Sequence, residues 1–407
     1  MDLDPIPHTT SDDPHSIYRT LREEYPVHYV EKRDLYVLSR HDDILAAIKN
    51  PETFSSAQGV VPSSFQPENP TLIVLDPPKH TNMRKEVMRA FTPRRMAAMS
   101  DRVRGFARQL LEELSTSGTP SGASSKEIDA FEGYTDPLPI FVMAELLGVD
   151  PSERPMFKRC GDAIVYSSGA DPETLLEAQR ELTDYLQTVF EERKRAPRKD
   201  LISLLLTSSN EGRALENDEL LGLCFLLLVA GTETTTSALG NAMLLLEQHR
   251  DVREQLIDDP SLIPAAVEEI LRFDSPVQGL SRVVRRDVEL HGVKIPEGAR
   301  VHLLYASANR DPRVFHDPDS FDISRTPNNH LAFGFGIHFC LGASLARLEL
   351  QIGLEELLAR APDYSLNLDG LHRLPSDTNR GFSKLPTVLS PWPSKGTRPA
   401  IQSPLPR

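Results

Sequence analysis

The chain has 407 residues and a net charge of −14, with 39% hydrophobic and 26% charged residues, which is typical of a soluble globular protein. The charge argues against nucleic acid and anionic membrane surfaces as bulk partners, and three cysteines without metal-ligand spacing argue against a disulfide framework. The acidic start, Met1 to Pro7, lacks the features of a signal peptide, and the longest apolar run, Leu220 to Ala230, is too short to span a bilayer. We therefore expect a cytoplasmic protein that neither inserts into a membrane nor binds nucleic acid. We also expect it to be a monomer.

Helical spacing of apolar residues dominates the chain and predicts helices over residues 14–24, 41–48, 76–89, 101–114, 136–147, 153–166, 172–194, 216–248 and 264–273. Alternating patterns predict strands at 29–30, 35–38, 283–284, 288–290, 293–295 and 301–304. A long loop is expected over 55–75, and the Gly/Ser/Thr-rich stretch 115–125 predicts a flexible turn. The fold class is therefore mostly α with a small antiparallel β region. We expect one domain over 1–393 and a disordered, proline-rich tail over 394–407.

The most informative segment runs from Phe333 to Gly342, where Cys340 follows two glycines and precedes a helical pattern. Gly334 and Gly336 have no Cβ, so the backbone there can turn sharply and lie against a flat ligand. At the start of the following helix, unpaired N–H groups and the helix dipole favour the thiolate form of Cys340. A thiolate held in this way can serve as the axial ligand of a haem iron. Taken alone, the cysteine is also compatible with a small buried hydrophobic residue.

The ten residues together resemble the haem-binding loop of the cytochrome P-450 family, haem-thiolate monooxygenases with the pattern Phe-x-x-Gly-x-[His/Arg]-x-Cys-x-Gly. Every position of the pattern is filled, by Phe333, Gly336, His338, Cys340 and Gly342. The resemblance covers nearly the whole chain and implies the cytochrome P-450 fold in a single catalytic domain. It also implies haem b (iron protoporphyrin IX) as cofactor and Cys340 as the iron ligand. Further haem contacts would come from Phe333, Gly334 and His338.

The segment Ala230 to Thr235 interrupts the apolar centre of the longest predicted helix with an acid and hydroxyls. Buried polar groups are costly without partners, so the interruption needs a reason. Thr234 can bond back to the carbonyl of Ala230, which would bend the helix and open a groove. The alternative is a simple kink with satisfied hydroxyls. The family resemblance implies that Glu233 and Thr234 are its catalytic acid–alcohol pair, which delivers protons beside the oxygen-binding site.

Glu269 and Arg272 carry opposite charges at positions i and i+3 of one predicted helix. An exposed pair of little energetic value is the default interpretation of that spacing. Because Phe273 to Pro276 follows, the pair also resembles the family's Glu-x-x-Arg motif. Its third partner would be Arg325, and the role of the three residues would be structural, shaping the side of the protein that holds Cys340.

Haem carries two carboxylates, for which Arg and His are natural hydrogen-bond donors. His80 and Arg84 lie at i and i+4 of one predicted helix. Arg282 follows Pro276 to Leu280, and His338 lies in the cysteine loop. Each could be an ordinary surface cation. As a set in their expected motifs, the family resemblance implies that all four bind the propionates.

Candidate substrate contacts are apolar, which suits a lipophilic molecule. Plain core packing is the alternative for each of them. By position in the family pattern they are Val60, Val61, Ile164, Val165, Leu226, Leu227, Ala230, Val277, Leu280 and Phe382.

The resemblance implies a soluble, bacterial-type monooxygenase that inserts one atom of O2 into a hydrophobic small molecule. Hydroxylation or epoxidation of a terpenoid, steroid, fatty-acid or polyketide-like compound is expected. Electrons would come from NAD(P)H through a reductase and a ferredoxin or flavodoxin. Two alternatives stay open: a peroxide-dependent peroxygenase or haem-thiolate isomerase, and a non-catalytic haem carrier or sensor. Neither would need the Glu233–Thr234 pair.

A local basic patch is the expected docking surface for the electron donor, despite the negative net charge. Its members would be Arg94 and Arg95, directly after the helix of His80, and Arg347, about two turns beyond Cys340. Arg347 and Glu349 are predicted to face outward from their helix. Three solvated arginines without a shared role are the alternative.

Overall fold

The computed structural model describes residues 3–6, 11, 13–62, 71–117, 119–121, 125–165, 171–207 and 215–389. Helices are α1 (His15–Glu24), α2 (His41–Ile48), α3 (Lys79–Met88), α4 (Pro93–Ala97), α5 (Ser100–Thr116), α6 (Pro137–Leu147), α7 (Arg154–Val165), α8 (Pro172–Arg195), α9 (Leu201–Thr207), α10 (Asn217–Gln248), α11 (Arg250–Asp258), α12 (Ile263–Phe273), α13 (Tyr305–Ala308) and α14 (Ala343–Arg360). Strands are β1 (Val27–Val30), β2 (Leu35–Leu38), β3 (Phe54–Ser55), β4 (Thr119–Ser121), β5 (Ser125–Asp129), β6 (Leu280–Val284), β7 (Val288–Leu290), β8 (Val293–Ile295), β9 (Arg300–Leu303), β10 (Ser365–Leu366), β11 (His372–Arg373), β12 (Phe382–Lys384) and β13 (Pro386–Leu389). The prediction of a mostly α protein with small sheets is confirmed.

The centre of the fold is α10, a helix of 32 residues. Its first turn is fixed by a reciprocal capping box, in which Glu216 accepts from the N–H three residues on and Glu219 accepts from the Glu216 N–H. By length and mean hydropathy α10 could cross a membrane, but half of its most apolar window is buried against the rest of the protein. Because α6, α7, α12 and α14 pack around it, α10 is the core of a helical bundle.

The largest sheet has five strands in the order β1-β2-β9-β6-β3. All its pairs are antiparallel except β2 and β9, which run parallel, with Leu35 opposite Arg300. The predicted antiparallel region therefore includes one parallel pair. The strands bring β3 and the loop after it, which carries Val60, next to β6, which carries Arg282.

The predicted flexible turn at 115–125 is wrong within the described residues. Helix α5 continues to Thr116, and β4 and β5 pair antiparallel with Thr119 opposite Glu127. The reason is tertiary, because β5 also pairs with β13, with Pro386 opposite Asp129. A partner so distant in sequence outweighs the local Gly and Ser content. The predicted tail at 394–407 and the middle of the predicted 55–75 loop, residues 63–70, lie outside the described residues.

Candidate active site

The cysteine loop is a tight backbone turn that ends at α14. Cys340 donates its N–H to the Phe333 carbonyl at 2.9 Å, and Gly334 donates to Leu331 at 2.9 Å. Gly334 and Gly336 have φ of +65° and +67°, a region that side chains with a Cβ adopt only with strain. A Cβ on Gly336 would also lie 3.4 Å from the Ile48 carbonyl oxygen. The two glycines therefore fix the shape of the loop that carries Cys340.

Cys340 lies three residues before the first residue of α14. The N–H of Gly342 donates to its sulfur, and the cations Arg84 and Arg347 act on it from a distance. These three influences lower the thiol pKa, but burial is the largest influence and raises the pKa above its ordinary value. The helix end alone thus does not produce the thiolate that the sequence predicts. A thiolate here requires a further positive partner, which is the role that a metal ion fills.

Two histidines from distant parts of the chain meet beside this loop. The ring centroids of His80, on α3, and His338 lie 4.3 Å apart. Nε2 of His338 lies 3.3 Å from the Ser56 hydroxyl, whereas neither ring nitrogen of the buried His80 has a partner among the described residues. Burial, followed by Arg282, His80 and Arg84, lowers the pKa of His338 to about 3. Burial also lowers the pKa of His80, so both rings favour the neutral form. The two ring nitrogens of His80 are available for hydrogen bonds to a ligand.

Arg84 and Arg282 complete the group of four. Arg84 donates to the Phe339 carbonyl within the cysteine loop. Arg282 is 4% exposed, donates to the Ser281 carbonyl at 2.7 Å, and bonds the Tyr305 hydroxyl. Within the described residues, neither arginine forms an ion pair with a carboxylate. Two half-buried or buried guanidinium groups without a counter-charge are unfavourable unless an anion joins them.

The donor set fits haem. A buried histidine with two unpartnered nitrogens and two arginines without carboxylate partners match a ligand that carries two carboxylates. The nearby thiol of Cys340 needs a cation to become a thiolate. These residues would therefore hold both the iron and the propionates of one haem.

The acid–alcohol pair lies on α10, which remains an α-helix throughout Asn217–Gln248. The Thr234 hydroxyl donates to the Ala230 carbonyl at 2.7 Å, the contact expected from the sequence. Glu233 is half-buried, and burial raises the pKa of its carboxyl, whereas hydrogen bonds from the Asn379 and Ser376 side chains oppose the rise. Glu233 is thus an acid held between a buried helix and a polar turn.

Sequence reasoning missed Ser376 and Asn379. They lie between β11 and β12 in a segment without a recognisable motif. Thr378 accepts from the Gln278 N–H at 2.7 Å, and Asn379 forms an isolated β-bridge with Val277. The turn therefore reaches Glu233 through tertiary pairing, for which a single sequence contains no signal.

Glu269 and Arg272 form a bidentate ion pair, with both N–O distances at 2.7 Å and both residues fully buried. Arg325 donates to Glu269 at 3.3 Å, as the sequence resemblance implied. Arg272 also donates to the carbonyls of Asn309 and Pro318, at 2.9 and 2.8 Å. The default interpretation, an exposed pair, is wrong. The network ties α12 to the long segment that leads to the cysteine loop.

Comparison with known proteins agrees with this geometry. The family model for cytochrome P450 matches residues 152–386. The chain belongs to the cytochrome P450 family. It is 37% identical to cytochrome P450 109 of Bacillus spizizenii over 387 residues, 93% of this chain and 92% of that protein. It is 36% identical to a steroid C26-monooxygenase of Mycobacterium tuberculosis over 386 residues, 93% of this chain and 94% of that protein.

A solved structure extends the likeness to the fold. CYP109E1 of Bacillus megaterium in complex with testosterone superposes with a TM-score of 0.84 at 36% identity, over 93% of this chain and 99% of that one. This P450 is accordingly a monooxygenase-type oxidoreductase, and its family uses haem iron and O2.

Of the apolar substrate candidates of this P450, two are core residues. Phe382 is 3% exposed and packs against Gly240. The guanidinium carbon of Arg373 lies 4.2 Å from the centroid of its ring. Leu227 is buried in the same core. Ile164 and Leu226 pack partly against it, and the side chain of Val165 lies outside the described residues. Among the remaining candidates, Val60 is buried, Val61, Val277 and Leu280 are half-buried, and Ala230 is exposed on α10.

Two predictions for α14 of this P450 need correction. Glu349 does not face outward but is 2% exposed, and burial raises the pKa of its carboxyl well above its ordinary value. Arg347 is not a free surface cation, because Glu268 binds it at 2.7 and 2.8 Å and its guanidinium lies 4.4 Å from the Phe333 ring centroid. Because α14 packs against α5, α10 and α12, little of its surface is left for solvent. Arg94 and Arg95 are exposed.

Proposed function

We propose that this P450 oxygenates a steroid-like hydrophobic molecule, with haem b ligated by Cys340. The observation that carries the proposal is the pair on α10, in which the Thr234 hydroxyl bonds the Ala230 carbonyl beside the half-buried Glu233. A peroxygenase, an isomerase or a haem carrier has no use for such a pair. Support for a steroid comes from two relatives, one named a steroid C26-monooxygenase and one solved with testosterone.

Bound haem would supply the oxidising chemistry, and the chain would supply ligation, orientation and protons. Cys340 would provide the thiolate, whose raised pKa the iron would lower. His80, Arg84, Arg282 and His338 would bind the two carboxylates. Bidentate donors such as Arg84 and Arg282 would also fix the orientation of the ring.

Thr234 and Glu233 would deliver protons. The Thr234 hydroxyl donates to the Ala230 carbonyl, so its oxygen remains free to accept a hydrogen bond. Glu233 is the adjacent acid, and its raised pKa brings the carboxyl closer to working pH. Ser376 and Asn379 hold the carboxyl and limit that rise.

The proposed enzyme would also need an electron donor. Electrons would come from NAD(P)H through a reductase and a ferredoxin or flavodoxin. Arg94 and Arg95 remain candidates for docking that donor because both are exposed cations. The protein would act as a cytoplasmic monomer whose catalytic domain spans residues 1–393.

Turnover of testosterone tests the proposal. The holoenzyme is supplied with ferredoxin, reductase and NADPH, or with hydrogen peroxide alone. We expect oxygenated product only with the electron-transfer proteins. Product formed only with peroxide would support a peroxygenase. No product from a panel of steroids, together with product from fatty acids or polyketides, would overturn the steroid assignment alone.

Two variants test the proton pathway. Thr234→Ala should bind haem and substrate normally but divert reducing equivalents to hydrogen peroxide. Glu233→Gln should slow turnover, because a positioned acid typically contributes about 10²–10⁴-fold. Thr235→Ala is the matched control, since it removes the neighbouring hydroxyl of the same helix. Unchanged rate and coupling in both active variants would refute the relay.

A further inference from the structure

The loop that carries Val60 and Val61 is held through its backbone. Arg300, the first residue of β9, donates to the carbonyls of Gln58, Gly59 and Val61 at 3.1, 3.5 and 3.3 Å. The N–H of Ser281 donates to the intervening Val60 carbonyl at 2.6 Å. Four successive carbonyls of this loop are therefore bound to the main sheet, and no side chain of the loop takes part.

Arg300 has the features of a dedicated clamp. It is half-buried, and in the part of the chain that the structure describes no carboxylate forms an ion pair with it. A half-buried guanidinium is normally paired with an acid. Here backbone carbonyls take that place, and the planar fork of arginine, with its five N–H donors, can span several of them at once. Lysine carries its three donors on a single nitrogen and lacks this fork.

The other end of the loop contacts the residues that are proposed to bind the haem propionates. The Ser56 hydroxyl lies 3.3 Å from Nε2 of His338, and the Ser56 N–H donates to Asp76 at 3.0 Å. Ser281, which binds the Val60 carbonyl, directly precedes Arg282. Residues 56–61 therefore connect two of the proposed propionate donors with the edge of the proposed substrate pocket.

We propose that Arg300 is a positioning residue that holds residues 58–61 against β6 and β9 and thereby sets the access of ligands to the haem. The inference rests on the proposed function, because it takes Val60 and Val61 to border the haem pocket. Loss of Arg300 would free the carbonyls of Gln58, Gly59 and Val61 together and leave Val60 held only by Ser281. Cys340 and the propionate donors would stay in place.

The test compares Arg300→Gln with wild type and with Arg286→Gln as matched control. Arg286 is an exposed arginine just after β6 of the same sheet, so its loss removes the same charge without touching the loop. Two rates measure the access of ligands to the haem. They are the rate at which imidazole associates with the ferric holoenzyme and the rate at which CO rebinds after photolysis. We expect imidazole to associate with Arg300→Gln about fivefold to thirtyfold faster than with wild type. This is the factor by which the loss of one or two net hydrogen bonds would increase the population of loop conformations that admit the ligand. Haem content should be unchanged.

Equal imidazole and CO rates in wild type and Arg300→Gln would overturn the clamp, as would an equal acceleration in Arg286→Gln. Should Arg300→Gln fail to fold, Arg300→Lys is compared with Arg286→Lys, since lysine keeps the charge but loses the fork. A purely structural role would lower the melting temperature without altering the ligand rates of the folded enzyme. A wild type without the thiolate-type CO spectrum would refute the proposed function instead, so the two failures are distinguishable.

Discussion

Replacing Glu269 by Gln should cost far more stability than the same change at its neighbour Glu268. Both carboxylates bind an arginine through two N–O contacts of 2.7 to 2.8 Å. The side chain of Glu269 is 1% exposed, whereas that of Glu268 is 29% exposed. In Glu269→Gln the fully buried Arg272 loses its counter-charge, which costs about 3–5 kcal/mol. For the more exposed Glu268 pair, about 1 kcal/mol is expected.

These losses of unfolding free energy can be converted into shifts of the melting temperature. About 2.1 cal/mol/K per residue over 407 residues gives an unfolding entropy of about 0.9 kcal/mol/K. Glu269→Gln should therefore lower the melting temperature by about 3–6 °C, and Glu268→Gln by about 1 °C. Far-ultraviolet circular dichroism and the Soret band are followed on the holoenzymes at one scan rate. Equal, small shifts in both variants would show that the buried network contributes no more than a surface pair.

Three further changes test separate parts of the site. Arg84→Ala or Arg282→Ala should speed haem transfer to apomyoglobin, because each leaves a haem carboxylate short of a donor, at a cost of about 1–3 kcal/mol. Glu349→Gln should raise the melting temperature more at pH 8 than at pH 5. Burial raises the pKa of Glu349 in the folded state, whereas the unfolded chain titrates at the ordinary pKa of about 4.3, so the wild type loses stability as the pH rises above that value. Arg95→Glu should raise the ferredoxin concentration needed for half-maximal turnover and flatten its ionic-strength dependence.

Each of these predictions has an outcome that contradicts it. Identical transfer rates for wild type and both arginine variants would remove them from the haem site. A pH-independent effect of Glu349→Gln would mean that the carboxyl is ionised in the fold. An untouched ferredoxin titration would place the docking surface elsewhere. Arg347 is unsuitable for that experiment, because charge reversal there would also break its pair with Glu268.

The sequence predicted best where the pattern was strong and local. Helix α2 and strands β7 and β8 have the predicted bounds, since their periodicity and flanking turns lie within a few residues. Motifs predict the Cys340 loop and the Arg325 contact with Glu269, and the i−4 spacing of a helical hydroxyl predicts the Thr234 bond to Ala230. A motif encodes a local backbone shape or a contact that recurs in a family.

The misses share a physical cause, which is packing between distant segments. Strand β4 lies within the stretch for which the sequence predicts a turn, and it pairs with β5, which β13 holds from its other edge. The helical spacing of apolar residues predicts that Glu349 faces outward, but α14 packs against α5, α10 and α12 and buries it. Asn379 reaches Glu233 only because its turn pairs with Val277. None of these contacts leaves a periodic signal in one sequence.

The central claim, that Cys340 is the thiolate ligand of a haem, is tested most directly by the CO spectrum of the reduced protein. A thiolate ligand shifts the Soret band of the ferrous–CO complex to long wavelength, so the wild type should show that band. Cys340→His, which binds haem through a neutral nitrogen, should lose it. A wild-type spectrum without the shifted band, or a shifted band that survives in Cys340→His, would contradict the account.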